Sequence, residues 1–309
     1  ISTSSDYSFF SMPTVYNISP SRKWHFYLDP KDAGGQLHVK SIDGREESVL
    51  YWDRKWAENI NMSWLDDEHL SILKFPDMGS RIPLMVILNP FSGEWHTLEP
   101  NFPSGQNNDV PLVYIDPSLS RAIYISGNSY VLWNAESETD IWRKKGVIFS
   151  MLPRAWSPDG NIFAFVGTST ATIYNEIYSV DRNGQENQLT NLSGVFPLAK
   201  GIYILGMEWS PNSKYIAFTF LVKDEMGNLL NDPLLALVDI ENEKTINLCV
   251  PVSQYVGEIV WSPFSDQVAV TSTVGFDSTE LNAVVVDIKR NVVYNLNSNA
   301  ATLGWMITP

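Results

Sequence analysis

Four histidines, His25, His38, His69 and His96, fall in the first third of the chain. Imidazole is the commonest protein ligand for transition metals, so a shared metal is the first chemistry to weigh. The spacing argues against it. His25 reads as part of a second strand, His69 as part of a turn, and His38 and His96 as parts of outer elements. No His-Glu-x-x-His pattern or paired ligand spacing accompanies them. The acidic run Asp66-Asp67-Glu68 has carboxylates enough for calcium but lacks the spacing of a calcium loop, and is read as a solvated turn. Glycosidase chemistry needs two carboxylates across a pocket, or an arginine cluster for an anionic sugar. The arginines are scattered, and Asp159, Asp181, Asp239 and Asp287 recur at matching places in a repeat, as turn and strand-end residues do. There is no Gly-x-Ser-x-Gly elbow, phosphate loop or dinucleotide fingerprint. The expectation is no catalytic residue, no metal and no cofactor.

The single cysteine, Cys249, lies in the strand-like run Ile246 to Val250 and has no His, Lys or Arg beside it to lower its pKa. It is expected to be a small buried core residue. Tryptophan is the residue in excess, at 11 copies. Trp64, Trp156, Trp209 and Trp261 follow a repeat, and Trp305 fits a terminal strand. Trp24, Trp52, Trp56, Trp95, Trp133 and Trp142 do not. Trp52 and Trp56 flank Asp53-Arg54-Lys55, and Trp133 and Trp142 flank the polar stretch from Asn134 to Asp140. Exposed rings so placed can anchor a protein partner or stack on a sugar; the alternative is packing of outer strands. Two irregular stretches, Glu99 to Val110 and Val222 to Pro233, read as surface loops of the kind that carry recognition. The sequons at Asn17, Asn61 and Asn191 are read as coincidental.

The elements that position these residues come from one repeated phrase. Trp156-Ser157-Pro158-Asp159-Gly160-Asn161-Ile162-Phe163-Ala164-Phe165 aligns without gaps to the ten residues from Trp209 and to the ten from Trp261. Weaker copies begin at Ile18, Trp64 and Ile115, and the period is about fifty residues. In the phrase, Pro presets φ, Asp bonds nearby amides and Gly accepts a positive φ, which makes a tight turn between two strands. Third and fourth strands follow, as at Gln36 to Ser41 and Ser48 to Tyr51, Glu176 to Asp181 and Gln188 to Thr190, Leu234 to Asp239 and Lys244 to Leu248, and Ala283 to Asp287 and Val292 to Leu296.

A repeat of this length built wholly from strands implies an all-β fold, a β-propeller of four-stranded antiparallel blades spanning residues 1–309 as a single domain. The run Leu303 to Pro309 matches Leu205 to Pro211, giving a partial seventh anchor at Ile307. Six blades are favoured, with a seven-bladed closure using strand-like residues before 18 left open. The chain has 309 residues, 44% hydrophobic, with 18 Gly and 18 Pro spread along it, which suits many short strands and turns and excludes disorder. A net charge of −14 argues against nucleic acid and an anionic membrane surface. No apolar run reaches the 18 residues of a membrane span. The polar start after Ile1 reads as a processed, exported product.

The phrase Trp-Ser-Pro-Asp-Gly-x-x-Ile-Ala-Phe, followed by Ile-Tyr-x-x-Asp and a Gly turn into Leu-Thr, resembles the repeat of TolB-type β-propellers over residues 14 to 309. The match is strong in the second half and degenerate before residue 150. That resemblance implies an interaction scaffold or an accessory subunit of an envelope or extracellular assembly, periplasmic or at the cell surface, with a protein partner. Such propellers include periplasmic scaffolds, adaptors and peptidase fusions; here no hydrolase domain follows. The alternative is a carbohydrate-active or metal-dependent enzyme with its site at the channel mouth, taking a small ligand or glycan.

Overall fold

In the phrase, the second residue holds the turn. Ser157 Oγ accepts the amide of Ile162 at 3.0 Å, Ser210 Oγ that of Tyr215 at 2.8 Å, and Ser262 Oγ that of Gln267 at 3.1 Å. Two of the three degenerate copies keep the bond: Ser19 Oγ accepts from Trp24 at 3.3 Å, and Asp116 Oδ1 from Arg121 at 2.7 Å. All five acceptor side chains are buried, and each satisfies the amide that opens the following strand. The fifth phrase residue sits in the left-handed region, at φ 69° for Gly160 and 60° for both Ser213 and Ser265. A side chain there costs about 1–2 kcal/mol, but the two serines gain a use. Ser213 Oγ accepts the Asp159 amide and Ser265 Oγ the Asn212 amide, each 3.1 Å away on the preceding repeat.

In this computed structural model the residues described are 19, 23–29, 36–51, 60–74, 84–98, 113–118, 120–126, 128–145, 154–168, 173–230, 232–252, 259–262, 264–273 and 281–298. The chain divides into two units, Ile1–Glu99 with Met306–Pro309, and Pro100–Trp305. The anchor Ile18, residues before 18 and the terminal run from 299 lie outside the described residues, as does the 99–110 loop.

The first unit holds two antiparallel sheets. One has strands β1 (Trp24–Asp29), β2 (Gln36–Ser41) and β3 (Glu47–Tyr51) in sequence order; the innermost strand expected of it lies outside the described residues. The other has β4 (Ile60–Trp64), β5 (Leu70–Lys74), β6 (Leu84–Leu88) and β7 (Trp95–Leu98), again in sequence order. Period-two alternation turns one face of each toward the other. Phe26, Leu37 and Val39 pack with Met62, Trp64, Leu70, Ile72, Val86 and Leu88. Ser48 Oγ donates to the Pro90 carbonyl at 2.7 Å, and the Trp24 and Phe91 rings lie 4.7 Å apart.

The second unit begins with a four-stranded meander, β8 (Val113–Ile115), β9 (Arg121–Ser126), β10 (Ser129–Asn134) and β11 (Thr139–Lys145), and ends with another, β20 (Val260–Trp261), β21 (Gln267–Thr273), β22 (Leu281–Asp287) and β23 (Val292–Ser298). Between them the two repeats share one eight-stranded sheet. It contains β12 (Arg154–Trp156), β13 (Ile162–Thr168), β14 (Ile173–Asp181) and β15 (Glu186–Gln188), then β16 (Gly201–Trp209), β17 (Tyr215–Lys223), β18 (Leu234–Asp239) and β19 (Lys244–Pro251). The join is a short parallel pairing of β14 with β16, Ile173 opposite Gly201 and Tyr174 opposite Ile202. The expected strand at Gln188 to Thr190 starts earlier, at Glu186, and its end turns into a single helical turn, α1 (Leu192–Val195).

Successive repeats of this unit are tied by their tryptophans. Trp156 Nε1 donates to the Tyr114 carbonyl at 2.8 Å, Trp209 Nε1 to Ala155 at 3.1 Å, and Trp261 Nε1 to Glu208 at 3.1 Å. Each acceptor is the residue just before the preceding anchor. The ring's apolar area and its one polar atom are therefore both satisfied by the neighbour.

Cys249 departs from expectation. The β18–β19 register shifts between Leu235, opposite Val250, and Ala236, opposite Asn247, so Leu248 and Cys249 form a bulge. Cys249 takes φ 55°, its amide donates to Asn247 Oδ1, and the thiol is exposed rather than buried. An alternating-strand reading cannot anticipate a bulge, because two inserted residues change which side chains face in.

Ser210→Ala is expected to destabilise the second unit by about 1 kcal/mol, since the Tyr215 amide loses its acceptor. Equilibrium denaturation with urea measures it; an unchanged midpoint would refute the role given to the serine.

Candidate functional site

Three places gather polar or exposed apolar side chains. The first lies between the third and fourth repeats. Asp116 is fully buried, and its Oδ2 accepts Arg182 Nη1 at 2.7 Å and the Ser118 hydroxyl. Arg182 also donates to the Gly160 carbonyl at 2.8 Å and to the Ser120 hydroxyl. Gly160 is needed here: a Cβ would stand 3.0 Å from Pro117 Cδ, at a φ of 69°. A buried carboxylate whose lone pairs are filled by guanidinium, hydroxyl and backbone donors is a structural clamp, with no capacity left for a substrate. Arg182→Met is expected to destabilise by about 3 kcal/mol, by leaving Asp116 buried without its counter-charge. Thermal and urea unfolding of the variant check this, and a near-neutral effect would show the clamp to be dispensable.

The repeated aspartates also keep to turns. Some desolvation works to raise the Asp159 pKa, but hydrogen bonds from Ser157, Asn161 and Ser213 outweigh it and hold the pKa below its ordinary value. Asp287 is likewise lowered, by the amide of Arg290 first and despite desolvation.

The histidines split into two pairs, both in the first unit. His25 and His38 flank Tyr27 on one face of the first sheet, Tyr27 stacking on His38 at 4.6 Å and on His25 at 6.4 Å. Glu47 accepts from His38 Nδ1 at 2.7 Å and pairs with Lys40 at 3.2 Å. Burial, and then the charge of Lys40, lower the His25 pKa. The unfolded chain binds that proton more readily, so stability is full above the ordinary value of 6.5 and falls as pH drops below it. A His25→Gln variant is expected to show a shallower loss of Tm between about pH 6.5 and pH 5 than the parent; parallel profiles would remove His25 from the account.

The second pair converges on a cavity of about 510 Å³ bordered by His69, Ile87, Asn89, Glu94, Trp95 and His96, with Gly93 at its turn. Register explains the convergence, since Ile87 stands opposite His96 across β6 and β7, and opposite Ser71 across β5 and β6. His69 immediately precedes β5, in the turn expected of it. Asp66, from the acidic run, accepts the amides of Glu68 and His69 at 2.8 and 2.7 Å and lies 2.9 Å from His69 Nδ1. Asn89 Oδ1 accepts the amides of Phe91 and Ser92, fixing the turn from which Glu94 and Trp95 project. Trp95 is 60% exposed. Among the described residues no group of three or more His, Cys, Asp or Glu is arranged to hold a metal.

The third place is a pair of loops at one end of β16 and β17, remote from the Ser-Pro turn that joins them. Gly201 pairs with Lys223, so the segment entering β16 and the loop leaving β17 emerge side by side. The Lys200 amide donates to the Lys223 carbonyl at 2.9 Å, and Lys200 lies 3.6 Å from Glu225. Beneath, Phe196 packs on Phe220 at 5.9 Å, and Glu176, buried, accepts the amides of Leu192 and Ser193 at 2.9 and 2.8 Å. On these two segments Leu198 is 85% and Met226 84% exposed, and Val195 and Leu230 are exposed as well. Met226 and Leu230 lie within the loop singled out from the sequence.

Of the tryptophans proposed as partner anchors, Trp52 and Trp56 lie outside the described residues. Trp133 is 3% exposed and packs with Ala122, Tyr124 and Val131. Trp142 is half-buried; its ring packs on Phe165 at 5.8 Å and its Nε1 donates to Glu186 at 3.2 Å. Burial thus commits both described rings to packing, Trp142 between its sheet and the next. The polar turn they flank is a β10–β11 hairpin, not a loop large enough to lift them outward.

No protein-family model matches the chain, and no curated protein does. Solved structures do match. TolB from Acinetobacter baumannii aligns with a TM-score of 0.50 and 16% identity, over 91% of this chain and 66% of TolB. Oligogalacturonate lyase from Vibrio parahaemolyticus aligns with a TM-score of 0.61 and 10% identity, over 95% of this chain and 79% of the lyase. A prolyl endopeptidase aligns with a TM-score of 0.55 and 13% identity, over 93% of this chain and 42% of that one. The chain has a TolB-like β-propeller fold. At these identities the likeness to TolB, the lyase and the endopeptidase is one of fold, and a TolB-like propeller serves binding proteins and enzymes alike.

Proposed function

We propose that the chain is a six-bladed, non-catalytic β-propeller that serves as a protein interaction scaffold or accessory subunit of an envelope or extracellular assembly. The six phrase copies, and the indole bonds from Trp156, Trp209 and Trp261 to the repeat before each, support the blade count. The TolB-like fold supports residence outside the cytoplasm. The observation that carries the function is the exposed apolar cluster of Val195, Leu198, Met226 and Leu230 on two adjoining loops. Singly exposed apolar residues are ordinary, but a group of four on paired loops, rimmed by Lys200 and Glu225, has the make-up of a binding patch. Buried Glu176 and the Phe196–Phe220 contact hold the segment before β16, and Asp224, accepting the amides of Met226 and Asn228, holds the loop after β17, so the apolar side chains are presented on a fixed base. Trp52 and Trp56 belong to the same proposal as further anchors.

A photo-crosslinking residue placed at Leu198 or Met226 is expected to yield one discrete protein adduct in native extract, and one at exposed Asn187 none. Mutating Leu198→Asp and Met226→Asp together is expected to abolish the partner's recovery without changing Tm. A processive glycan-cleaving or metal-dependent activity in the purified chain, with no adduct at either loop, would overturn the scaffold reading in favour of an enzyme.

A further inference from the structure

We infer that the cavity on the second sheet is a binding site for a neutral saccharide. Trp95 stands on the outermost strand of its sheet, at 60% exposure, bordering a cavity of about 510 Å³, within the range of small-ligand sites. With more than half of its surface in solvent beside a concavity, the indole presents apolar area that suits the C–H face of a pyranose ring.

The polar groups around it match hydroxyls. Among the described residues, Glu94 and His96 make no side-chain hydrogen bond or ion pair with another residue. His69 is oriented through Nδ1 by Asp66, which leaves Nε2 for a ligand. The set therefore includes a carboxylate acceptor and two imidazoles, each of which donates or accepts according to tautomer. A sugar hydroxyl does both at once and satisfies either kind of group. Among the described residues no group of three or more His, Cys, Asp or Glu is arranged to hold a metal ion, and an organic cation satisfies Glu94 but finds no use for imidazole N–H donors. An anion meets Glu94 and Asp66 on a chain of net charge −14, so a uronic acid is disfavoured. Buried Ile87 forms an apolar part of the wall, and the β5–β6–β7 ladder with the Asn89 turn sets the geometry before any ligand arrives.

The test is calorimetry on the full chain at pH 7 with neutral hexasaccharides of glucose, mannose and N-acetylglucosamine. Trigalacturonate is the anionic arm and tetramethylammonium the cationic arm. At least one neutral saccharide is expected to bind with one site per chain. Trp95→Ala is expected to weaken it about tenfold and Trp95→Phe less. His96→Ala is expected to weaken it too, while Tm stays unchanged because both side chains are exposed. Glu94→Gln is expected to narrow the gap between neutral and anionic sugars. Absence of any neutral-sugar binding, binding indifferent to Trp95→Ala, or preference for either charged arm would overturn the proposal. The loops tested by crosslinking belong to the other unit, so either result stands without the other.

Discussion

The second unit depends on how each anchor tryptophan disposes of one N–H. An indole is large enough to cover the neighbouring sheet, yet its nitrogen cannot be buried without an acceptor. In repeats four, five and six that acceptor is a carbonyl at one fixed position of the preceding repeat. The bond fixes the height of one sheet against the next, and the buried serine beside it fixes the turn that follows. Shape, register and polar satisfaction are then set together, and strands of two to nine residues suffice.

Much of this is legible in the residues themselves. Trp-Ser-Pro at about fifty-residue intervals marks the inner strand and its turn, and the third and fourth strands follow from alternation and hairpin residues. The serine's task is less visible, because Ser before Pro reads as generic turn chemistry until four buried serines, with Asp116 in the same place in a fifth copy, are seen accepting the same amide. Left-handed residues are hidden for a related reason. The hairpin between third and fourth strands has a positive φ in every repeat, at Gly44, Gly93, Glu138, Gly184, Glu243 and Asn291, but only three are glycine. Where the rest of the turn is well determined, the backbone tolerates a side chain that propensity would not choose.

The sites were less readable, and each miss has a physical cause. Trp133 and Trp142 flank polar residues, which looks like a loop from outside; a tight hairpin turns both into packing residues. Cys249 follows an apolar alternation that a bulge interrupts. His69 and His96 are far apart in sequence and meet at one cavity only through the pairing of β5, β6 and β7, a relation that no local pattern encodes. Conversely, the loop after β17 was singled out by irregularity alone, and its exposed Met226 and Leu230 give that irregularity chemical content.

The parallel contact between β14 and β16 is only two residue pairs long, yet it changes how the molecule comes apart. Elsewhere in the second unit, each sheet could fray from its outer strand while its neighbour stays intact. Here the third strand of one repeat and the inner strand of the next share a ladder, with the buried Glu176 holding the connection between them. Repeats four and five must therefore open as one cooperative unit, and the loops that carry Leu198 and Met226 sit on the segment where opening one would cost the opening of both.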